Sequence, residues 1–282
     1  MALIEQHVDS HVAMITLNDG QHGNLLCPEA LVELGAALDA SLHDSQVRAV
    51  LLRSNGPAFC LGMDLSRLAA PAAVHSGTAA EDAVGRYADV LQALFTSPLP
   101  VVCLVEGETK AGGVGIACAC DIVVAGEHAS FELGEVIFGL IPANVLPYML
   151  ALRMSPQKAR YLVMSSRKIA AAEALRVNLV DEVASGRDIE GRLKEIFKRL
   201  LCSSPHALAA AKEFTAELLG TTPEEGSALA RRRLLQMMRE PSTLDGVRAF
   251  QEGHMPAWFT RFKPQGPLSL SGESERKEHS GE

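Results

Sequence analysis

Two short apolar runs on either side of a stretch of small residues constrain the fold more than any other part of this sequence. Residues 101–105 (VVCLV) and 121–125 (DIVVA) are these runs. Runs of this kind are typical of strands that are covered on both faces, as in parallel sheets. Residues 111–120 (AGGVGIACAC) lie between them and are small enough to let a helix pack very closely. The segment therefore predicts an α/β fold.

The first half of the chain repeats this alternation of strands and helices. Residues 11–17 and 47–52 are further apolar runs, and Leu34 and Leu38 lie between them at helical spacing. A helix between two such strands indicates an α/β unit with a crossover connection. We expect this organisation to form a core over residues 1–187.

The C-terminal third has a different character, because helical patterns follow one another from about Asp188 without a strand pattern. The patterns cover residues 206–219, 223–239 and 241–252. Their apolar stripes exceed what a single core would cover, so we expect a helical and oligomerisation region over residues 188–263. Residues 264–282 are polar and rich in Pro, Gly and Ser, and this composition predicts a disordered tail.

Charge and cysteine content exclude several classes of function. Lys and Arg total 26 against 34 Asp and Glu, a net charge of -8, whereas nucleic-acid binders carry a basic surplus. No uncharged apolar run reaches the ~18 residues of a membrane span, and the first 17 residues do not resemble a secretory signal. The six cysteines form no CxxC pair, which favours free thiols and a cytoplasmic protein. We see no metal-binding constellation and no dinucleotide fingerprint, and we expect no cofactor.

Two segments could each present a free backbone N–H group to a cleft. In residues 59–65 (FCLGMDL), Gly62 allows a tight turn, after which the N–H of Met63 would be free. Gly112 and Gly113 begin the small-residue helix, and the first N–H groups of a helix have no internal partner. Two such donors that converge on one point would form an oxyanion hole.

A third segment, residues 131–136 (FELGEV), places the Glu135 carboxylate in a largely apolar context. Each of the three segments also has an ordinary structural explanation. A Gly-Gly pair before a helix often serves close packing, Asp64 would cap a helix, and a single glutamate is usually solvated. Only the order and spacing of the segments together point to a function.

In this order and spacing the segments resemble the crotonase (enoyl-CoA hydratase/isomerase) family, over about residues 5–255. The resemblance implies a spiral of ββα units with a helical C-terminal region, assembled as homotrimers or dimers of trimers. It also implies that the Met63 and Gly112 N–H groups bind the thioester oxygen of an acyl group on coenzyme A or an acyl-carrier protein. The shared chemistry of the family is an enolate at Cα, and Glu135 matches one of its two catalytic glutamates.

The sequence departs from the hydratases of that family at Gly115, which occupies the position of the other glutamate and cannot transfer a proton. This lowers the odds of an ordinary fatty-acid hydratase. One carboxylate could still serve both ends of a syn elimination, or move a proton between two carbons in an isomerase. A non-catalytic protein that binds acyl thioesters is a further alternative.

A second departure follows residue 139. Residues 139–163 are similar to a subgroup of the family that we associate with polyketide β-branching, in which 3-hydroxy-3-methylglutaryl-ACP is dehydrated to 3-methylglutaconyl-ACP. Asn144 lies in the segment that replaces the usual glycine-rich turn, and we count it as a substrate-binding candidate together with Asp64.

The distal carboxylate of that substrate calls for a cation near the site. Lys110 is our candidate, although its side chain could equally extend to solvent. Tyr87 would face the cleft only if its helix leans that way, and would otherwise pack in the core. An acidic carrier protein would also need a basic patch, for which the candidates are Arg153, Lys158, Arg160, Arg167 and Lys168.

Overall fold

The computed structural model describes residues 2–64, Ser66 and residues 78–270, and its strands form two sheets. The larger sheet contains, in spatial order, β1 (Ile4–Asp9), β2 (Val12–Leu17), β3 (Ala49–Ser54), β5 (Val101–Val105), β7 (Ile122–Gly126) and β10 (Glu182–Ala184). The smaller sheet contains β4 (Ala58–Cys60), β6 (Glu108–Lys110), β8 (Ser130–Glu132) and β9 (Ile169–Ala170).

The helices of the described residues fall into two groups. Before β10 the chain forms α1 (Pro28–His43), α2 (Thr78–Thr96), α3 (Gly112–Ala119), α4 (Val145–Tyr148), a π-helical turn (Met149–Arg153), α5 (Pro156–Ser165) and α6 (Ala171–Arg176), together with 3-10 turns at Gly20–His22 and Glu135–Phe138. After β10 it forms α7 (Gly186–Cys202), α8 (Pro205–Glu217), α9 (Pro223–Met237) and α10 (Pro241–Gln251).

The order of the strands confirms the expected α/β fold of repeated ββα units. Strands β3, β5 and β7 run parallel in the larger sheet, and each is followed by a short strand in the smaller sheet. The first two of these strand pairs lead into α2 and α3. Because every turn of the spiral returns to the same two sheets, the loops after β4 and β6 lie side by side. This adjacency brings together the two predicted oxyanion segments.

The larger sheet separates two buried apolar clusters. Alternate residues of its strands, including Ile15 and Leu52, pack against α1, α2 and α3 on one face. The opposite residues, including Met14 and Leu51, pack against Phe197 of α7. Helix α7 therefore shares a core with the larger sheet. The first helix of the helical region that we expected over residues 188–263 thus packs against the α/β part of the chain.

The expected disordered tail is corrected at its beginning. Leu268 is fully buried in the cluster below α7, and both Pro267 and Leu268 accept hydrogen bonds from the Arg53 guanidinium at 2.8 Å. Glu190 accepts the backbone N–H of Leu268 at 3.0 Å. These contacts fix residues 264–270 despite their polar composition; residues 271–282 lie outside the described part of the chain. No helix within the described ranges is long and apolar enough to cross a membrane.

Candidate active site

The turn that carries Met63 lies directly against the start of α3. Gly62 has φ +88°, and its carbonyl accepts the N–H of Leu26 at 2.9 Å, which fixes the turn. A Cβ atom at Gly62 would lie 3.1 Å from the Gly112 nitrogen. Glycine is therefore needed both for the left-handed backbone and for the space beside the Gly112 N–H.

Helix α3 aims its first N–H group at this turn. The preceding residue, Ala111, has the unusual angles φ 46° and ψ −114°, and its N–H donates to the Glu132 carbonyl at 2.9 Å. A Cβ atom at Gly113 would lie 2.3 Å from the Cys60 carbonyl oxygen, so the helix approaches β4 as closely as its backbone permits. Among the described residues, neither the Met63 N–H nor the Gly112 N–H has a hydrogen-bond acceptor. Both donors are available to a ligand.

Glu135 supplies a partly buried carboxylate at the first residue of its 3-10 turn. Its Oε2 atom is buried and has no hydrogen-bond partner within the described chain. Desolvation raises the pKa of this carboxyl group above its ordinary value, and a hydrogen bond from its own backbone N–H offsets part of the rise. A carboxylate whose pKa is raised in this way is a stronger base than an exposed glutamate.

Tyr87 of α2 fills the space between Gly112 and Gly115. Its side chain is only 4% exposed, and its hydroxyl group donates to the Gly112 carbonyl at 2.7 Å. A Cβ atom at Gly115 would lie 2.0 Å from that hydroxyl oxygen. Tyr87 therefore does both things that the sequence left as alternatives, since it packs in the core and also borders the cavity.

Lys110 lies at the rim of the cavity and is paired with acidic side chains. Its Nζ atom is 3.3 Å from Glu108 Oε1 and 3.8 Å from Glu132 Oε2, and the side chain is 38% exposed. Glu132 was missed by the sequence analysis although it lies in the same short segment as Glu135. Glu132 lies near Lys110 because the register of β6 and β8 pairs these two residues directly. The sequence does not reveal this register.

The two remaining candidates differ in position. Asn144 borders the cavity, and its side-chain amide donates to the Val84 carbonyl at 3.3 Å. Asp64 is not among the residues that line the cavity. Its carboxylate accepts the Ser66 hydroxyl at 2.5 Å and the Ser66 N–H at 3.2 Å, which is the capping geometry expected of its ordinary structural role.

The resulting cavity has a volume of about 460 Å³ and unites the donors with the carboxylate. The predicted residues on its wall are Met63, Tyr87, Lys110, Gly112, Glu135 and Asn144. Much of the remaining wall is apolar and comes from Ile137, Phe138, Leu140 and Ile141. Such a site can hold an oxyanion at one end, remove a neighbouring proton and enclose an apolar chain.

A larger cavity, of about 590 Å³, lies between the end of α2 and helices α8 and α9. Its cations already have partners: Lys212 donates to Asp121 at 2.8 Å, and Arg233 pairs with Glu213 and Glu217. It contains neither of the free backbone donors. Within the described residues no group of three or more His, Cys, Asp or Glu side chains could hold a metal ion.

The expected basic patch is largely neutralised. Arg153 is buried and forms an ion pair with Asp181 at 2.6 Å, so it is not a surface cation. Arg167 pairs with Glu173, and Lys168 pairs with Glu108. Of the five expected cations, Lys158 and Arg160 on α5 remain exposed without a recorded ion pair inside the described ranges.

Comparisons with known proteins agree with this geometry. The sequence pattern of the family described as enoyl-CoA hydratase/isomerase matches residues 7–261. A Thermus thermophilus protein described as an enoyl-CoA hydratase is 34% identical over 251 residues, which cover 87% of this chain and 96% of that protein. Carnitinyl-CoA dehydratase of Proteus mirabilis is 27% identical over 248 residues, which cover 86% of this chain and 93% of that protein.

The fold is likewise similar to solved structures. The crystal structure of an enoyl-CoA hydratase of Mycobacterium smegmatis superposes with a TM-score of 0.84 at 28% sequence identity. The match covers 92% of this chain and the whole of that one.

Proposed function

Because the chain belongs to the enoyl-CoA hydratase/isomerase family, we propose that it removes water from a 3-hydroxyacyl thioester through an enolate held by two backbone N–H groups. One observation carries the proposal: Met63 and Gly112, whose N–H groups have no acceptor in the described chain, line the same cavity as Glu135, whose Oε2 atom is buried without a hydrogen-bond partner. Elimination of water needs one oxyanion hole and one base within reach of Cα.

In the mechanism, the thioester oxygen accepts hydrogen bonds from the Met63 and Gly112 N–H groups. Gly112 also lies at the positive end of the α3 dipole, which favours the negative charge that develops there. Glu135 takes the proton from Cα and leaves the electron pair in the enolate. The enolate then reforms the carbonyl, a double bond forms between C2 and C3, and the C3–O bond breaks. Glu135 returns its proton to the departing hydroxyl group, which leaves as water.

We infer that the substrate is 3-hydroxy-3-methylglutaryl-ACP, which would give 3-methylglutaconyl-ACP as in polyketide β-branching. Two features support this substrate. Residues 139–163 are similar to that subgroup, and Lys110 places a half-exposed ammonium group at the rim of the cavity. A distal carboxylate at the rim would join the ion pairs that Lys110 makes with Glu108 and Glu132.

A second candidate is an enoyl-CoA hydratase or isomerase that acts on an uncharged chain. The apolar wall formed by Ile137, Phe138 and Ile141 favours it, as do the names of the relatives. Lys110 would then serve only to hold β6 against β8. A protein that binds acyl thioesters without catalysis is the remaining alternative, since Gly115 removes one carboxylate.

The carrier and the assembly also belong to this proposal. Lys158 and Arg160 are the exposed cations that could meet an acidic carrier protein. We propose a homotrimer or a dimer of trimers, because α9 and α10 expose a set of large apolar side chains. These are Leu234, Leu235, Leu244, Val247 and Phe250. A cytoplasmic location fits six free cysteines, of which five are buried.

The test is incubation with 3-hydroxy-3-methylglutaryl-ACP and with 3-hydroxybutyryl-CoA, followed by intact mass measurement. Loss of one water from the ACP substrate supports the first candidate, and loss from the CoA substrate alone supports the second. Loss of carbon dioxide would contradict a dehydratase, and no change in either substrate would favour the binding protein. Glu135→Gln should lower turnover by at least about 10²-fold, because it keeps the shape but cannot accept the proton. Glu127→Gln, an exposed carboxylate outside the cavity, is the matched control.

The role of Lys110 has its own test. Lys110→Met should raise KM for the glutaryl-type substrate and leave KM for a substrate that ends in a methyl group nearly unchanged. An equal effect on both substrates would mean that Lys110 does not read the distal carboxylate.

A further inference from the structure

The Tyr87 hydroxyl lies where a side chain at position 115 would enter the cavity. A Cβ atom at Gly115 would be 2.0 Å from this oxygen, so the phenol occupies the volume that a larger residue at 115 would need. Tyr87 borders the same cavity as Met63 and Glu135. A hydroxyl group contributed by a different helix, α2, therefore lies where a side chain at position 115 would be.

The direction of the Tyr87 proton is fixed. A phenol has one hydrogen to donate and lone pairs to accept with. The hydrogen is donated to the Gly112 carbonyl at 2.7 Å, so a ligand in the cavity can meet only the accepting side of the oxygen. Burial, with a smaller contribution from the Glu135 charge, raises the pKa of Tyr87 well above its ordinary value. The group stays a neutral phenol throughout the working range of pH.

An acceptor in this place would assist the elimination by orienting the leaving group. The departing C3 hydroxyl must turn a lone pair toward the proton on Glu135, so its own hydrogen has to be held in another direction. Glu135 cannot hold that hydrogen while it delivers its proton to the same oxygen. Gly115 offers no side chain, but Tyr87 lines the cavity and its hydroxyl oxygen lies 2.0 Å from the position of a Cβ atom at residue 115.

We propose that Tyr87 is a catalytic residue whose oxygen accepts a hydrogen bond from the C3 hydroxyl of the substrate and so orients the leaving group toward Glu135. This assignment rests on the proposed function. Tyr87 neither gains nor loses a proton during the reaction. The proton removed from Cα moves to Glu135 and then to the leaving hydroxyl, while the phenol keeps its bond to Gly112.

The proposal separates two reactions that share the rest of the site. Exchange of the Cα proton with solvent needs the oxyanion hole and Glu135, but involves no C3 hydroxyl. Elimination of water uses the same two groups and, in addition, the Tyr87 oxygen that orients the leaving hydroxyl group. Tyr87→Phe should therefore lower elimination at least about tenfold and leave the exchange rate within about threefold of the wild-type rate.

The experiment compares wild-type protein, Tyr87→Phe and the control Tyr148→Phe. Tyr148 also loses a hydroxyl contact, at 3.2 Å to Gln92, but does not line the cavity. Exchange is followed in D₂O with butyryl-CoA or 3-methylglutaryl-ACP, and elimination with the corresponding 3-hydroxy thioester, on whichever carrier the wild-type protein uses. The control should retain both reactions.

Each result decides between explanations. Equal loss of both reactions in Tyr87→Phe would overturn the proposal, because Tyr87 would then act only by shaping the oxyanion helix. Unchanged elimination would overturn it as well. Absence of both reactions in the wild-type protein would contradict the proposed function itself, and this outcome is recognised before any variant is made.

Discussion

At the scale of single residues, Glu135 combines a chemical advantage with a cost in stability. Its carboxylate is partly buried, and one oxygen has no partner among the described residues. The desolvation that raises its pKa also means that its charged form is less stable in the folded protein than in water. The charged form of Glu135 therefore lowers the free energy of unfolding, although the same burial makes it a better base.

This cost predicts a pH-dependent gain in stability for Glu135→Gln. Because the pKa of Glu135 is higher in the folded than in the unfolded chain, the folded state loses stability as pH rises through the folded pKa. Glutamine carries no charge, so the variant should have a higher Tm than the wild type at pH 8. Below the unfolded glutamate pKa of about 4.3 the difference should disappear. Thermal unfolding at pH 4 and pH 8, with Glu127→Gln as control, measures it. A wild-type protein that is more stable than the variant at pH 8 would contradict the argument.

The individual site residues were predictable to different degrees. Met63, Gly112 and Glu135 could be named because a glycine turn, a helix start and a carboxylate each leave a mark in a short stretch of sequence, and because the three segments together resemble the crotonase family. The contact between Tyr87 and Gly115 joins α2 to α3 across a spacing that only the packed fold determines. Asp64 was expected to cap a helix and was also named as a substrate-binding candidate; its carboxylate accepts hydrogen bonds from Ser66, and the substrate-binding role stays a prediction.

At the scale of elements, the site depends on how closely the turn after β4 approaches α3. The atoms closest to a Cβ atom at Gly62 would be the Ala111 Cβ at 3.0 Å, the Gly112 nitrogen at 3.1 Å and the Lys110 carbonyl oxygen at 3.2 Å. The strands that set this distance have only two or three residues each. Polar strands such as β6 (ETK) lack the apolar alternation that a sequence-based prediction uses, so the smaller sheet was not anticipated.

Gly62→Ala should reduce catalysis much more than it reduces stability. The new Cβ atom would lie 3.1 Å from the Gly112 nitrogen and displace or cover that donor, and loss of one hole donor costs about 10²–10³ in kcat. Gly220→Ala is the matched control. Gly220 has a similar φ of +78° but no heavy atom within 4 Å of the new Cβ, so both variants carry about 1–2 kcal/mol of backbone strain. Equal kcat values for the two variants would show that the turn does not border the oxyanion.

At the scale of the whole molecule, residues 264–270 join distant parts of the chain. The Asp9 carboxylate accepts the Gln265 N–H, Arg53 donates to the Pro267 carbonyl, and Glu190 accepts the Ser269 N–H. These partners lie on β1, β3 and α7. Composition predicted a disordered tail here because it describes only the segment itself. It does not show the partners, far away in sequence, that order these polar residues.

Leu268→Ala should lower the free energy of unfolding by about 2–5 kcal/mol, as expected for a fully buried leucine. Val8→Ala, an exposed residue of β1, should change it by no more than about 0.5 kcal/mol. Truncation after Lys263 should destabilise the protein at least as much as Leu268→Ala, whereas truncation after Leu270 retains every described contact and should not. Denaturant unfolding of the wild-type protein and these four variants measures the changes. An equal midpoint for both truncations would contradict the ordered segment.

The exposed apolar face of α9 and α10 predicts self-association. Phe250 is 83% exposed, and Leu234 and Val247 are exposed as well. Light scattering at micromolar concentration should give the mass of a trimer or hexamer for the wild-type protein. Phe250→Asp should lower that mass, because an unpaired charge would have to be buried at the contact. A monomeric mass for the wild type would reject the proposed assembly.

The overlap between the Tyr87 oxygen and the position of a Cβ atom at residue 115 also limits the order in which this protein could evolve. Any mutation that adds a side chain at 115 meets a buried oxygen 2.0 Å away, so Tyr87 would have to move and the mutation is expected to destabilise the fold. Loss of the tyrosine must come first, and in our mechanism that intermediate has neither acceptor. The intermediates between the two-glutamate form and the tyrosine form of the site are therefore less active or less stable than either form. A lineage that has acquired one form is expected to keep it.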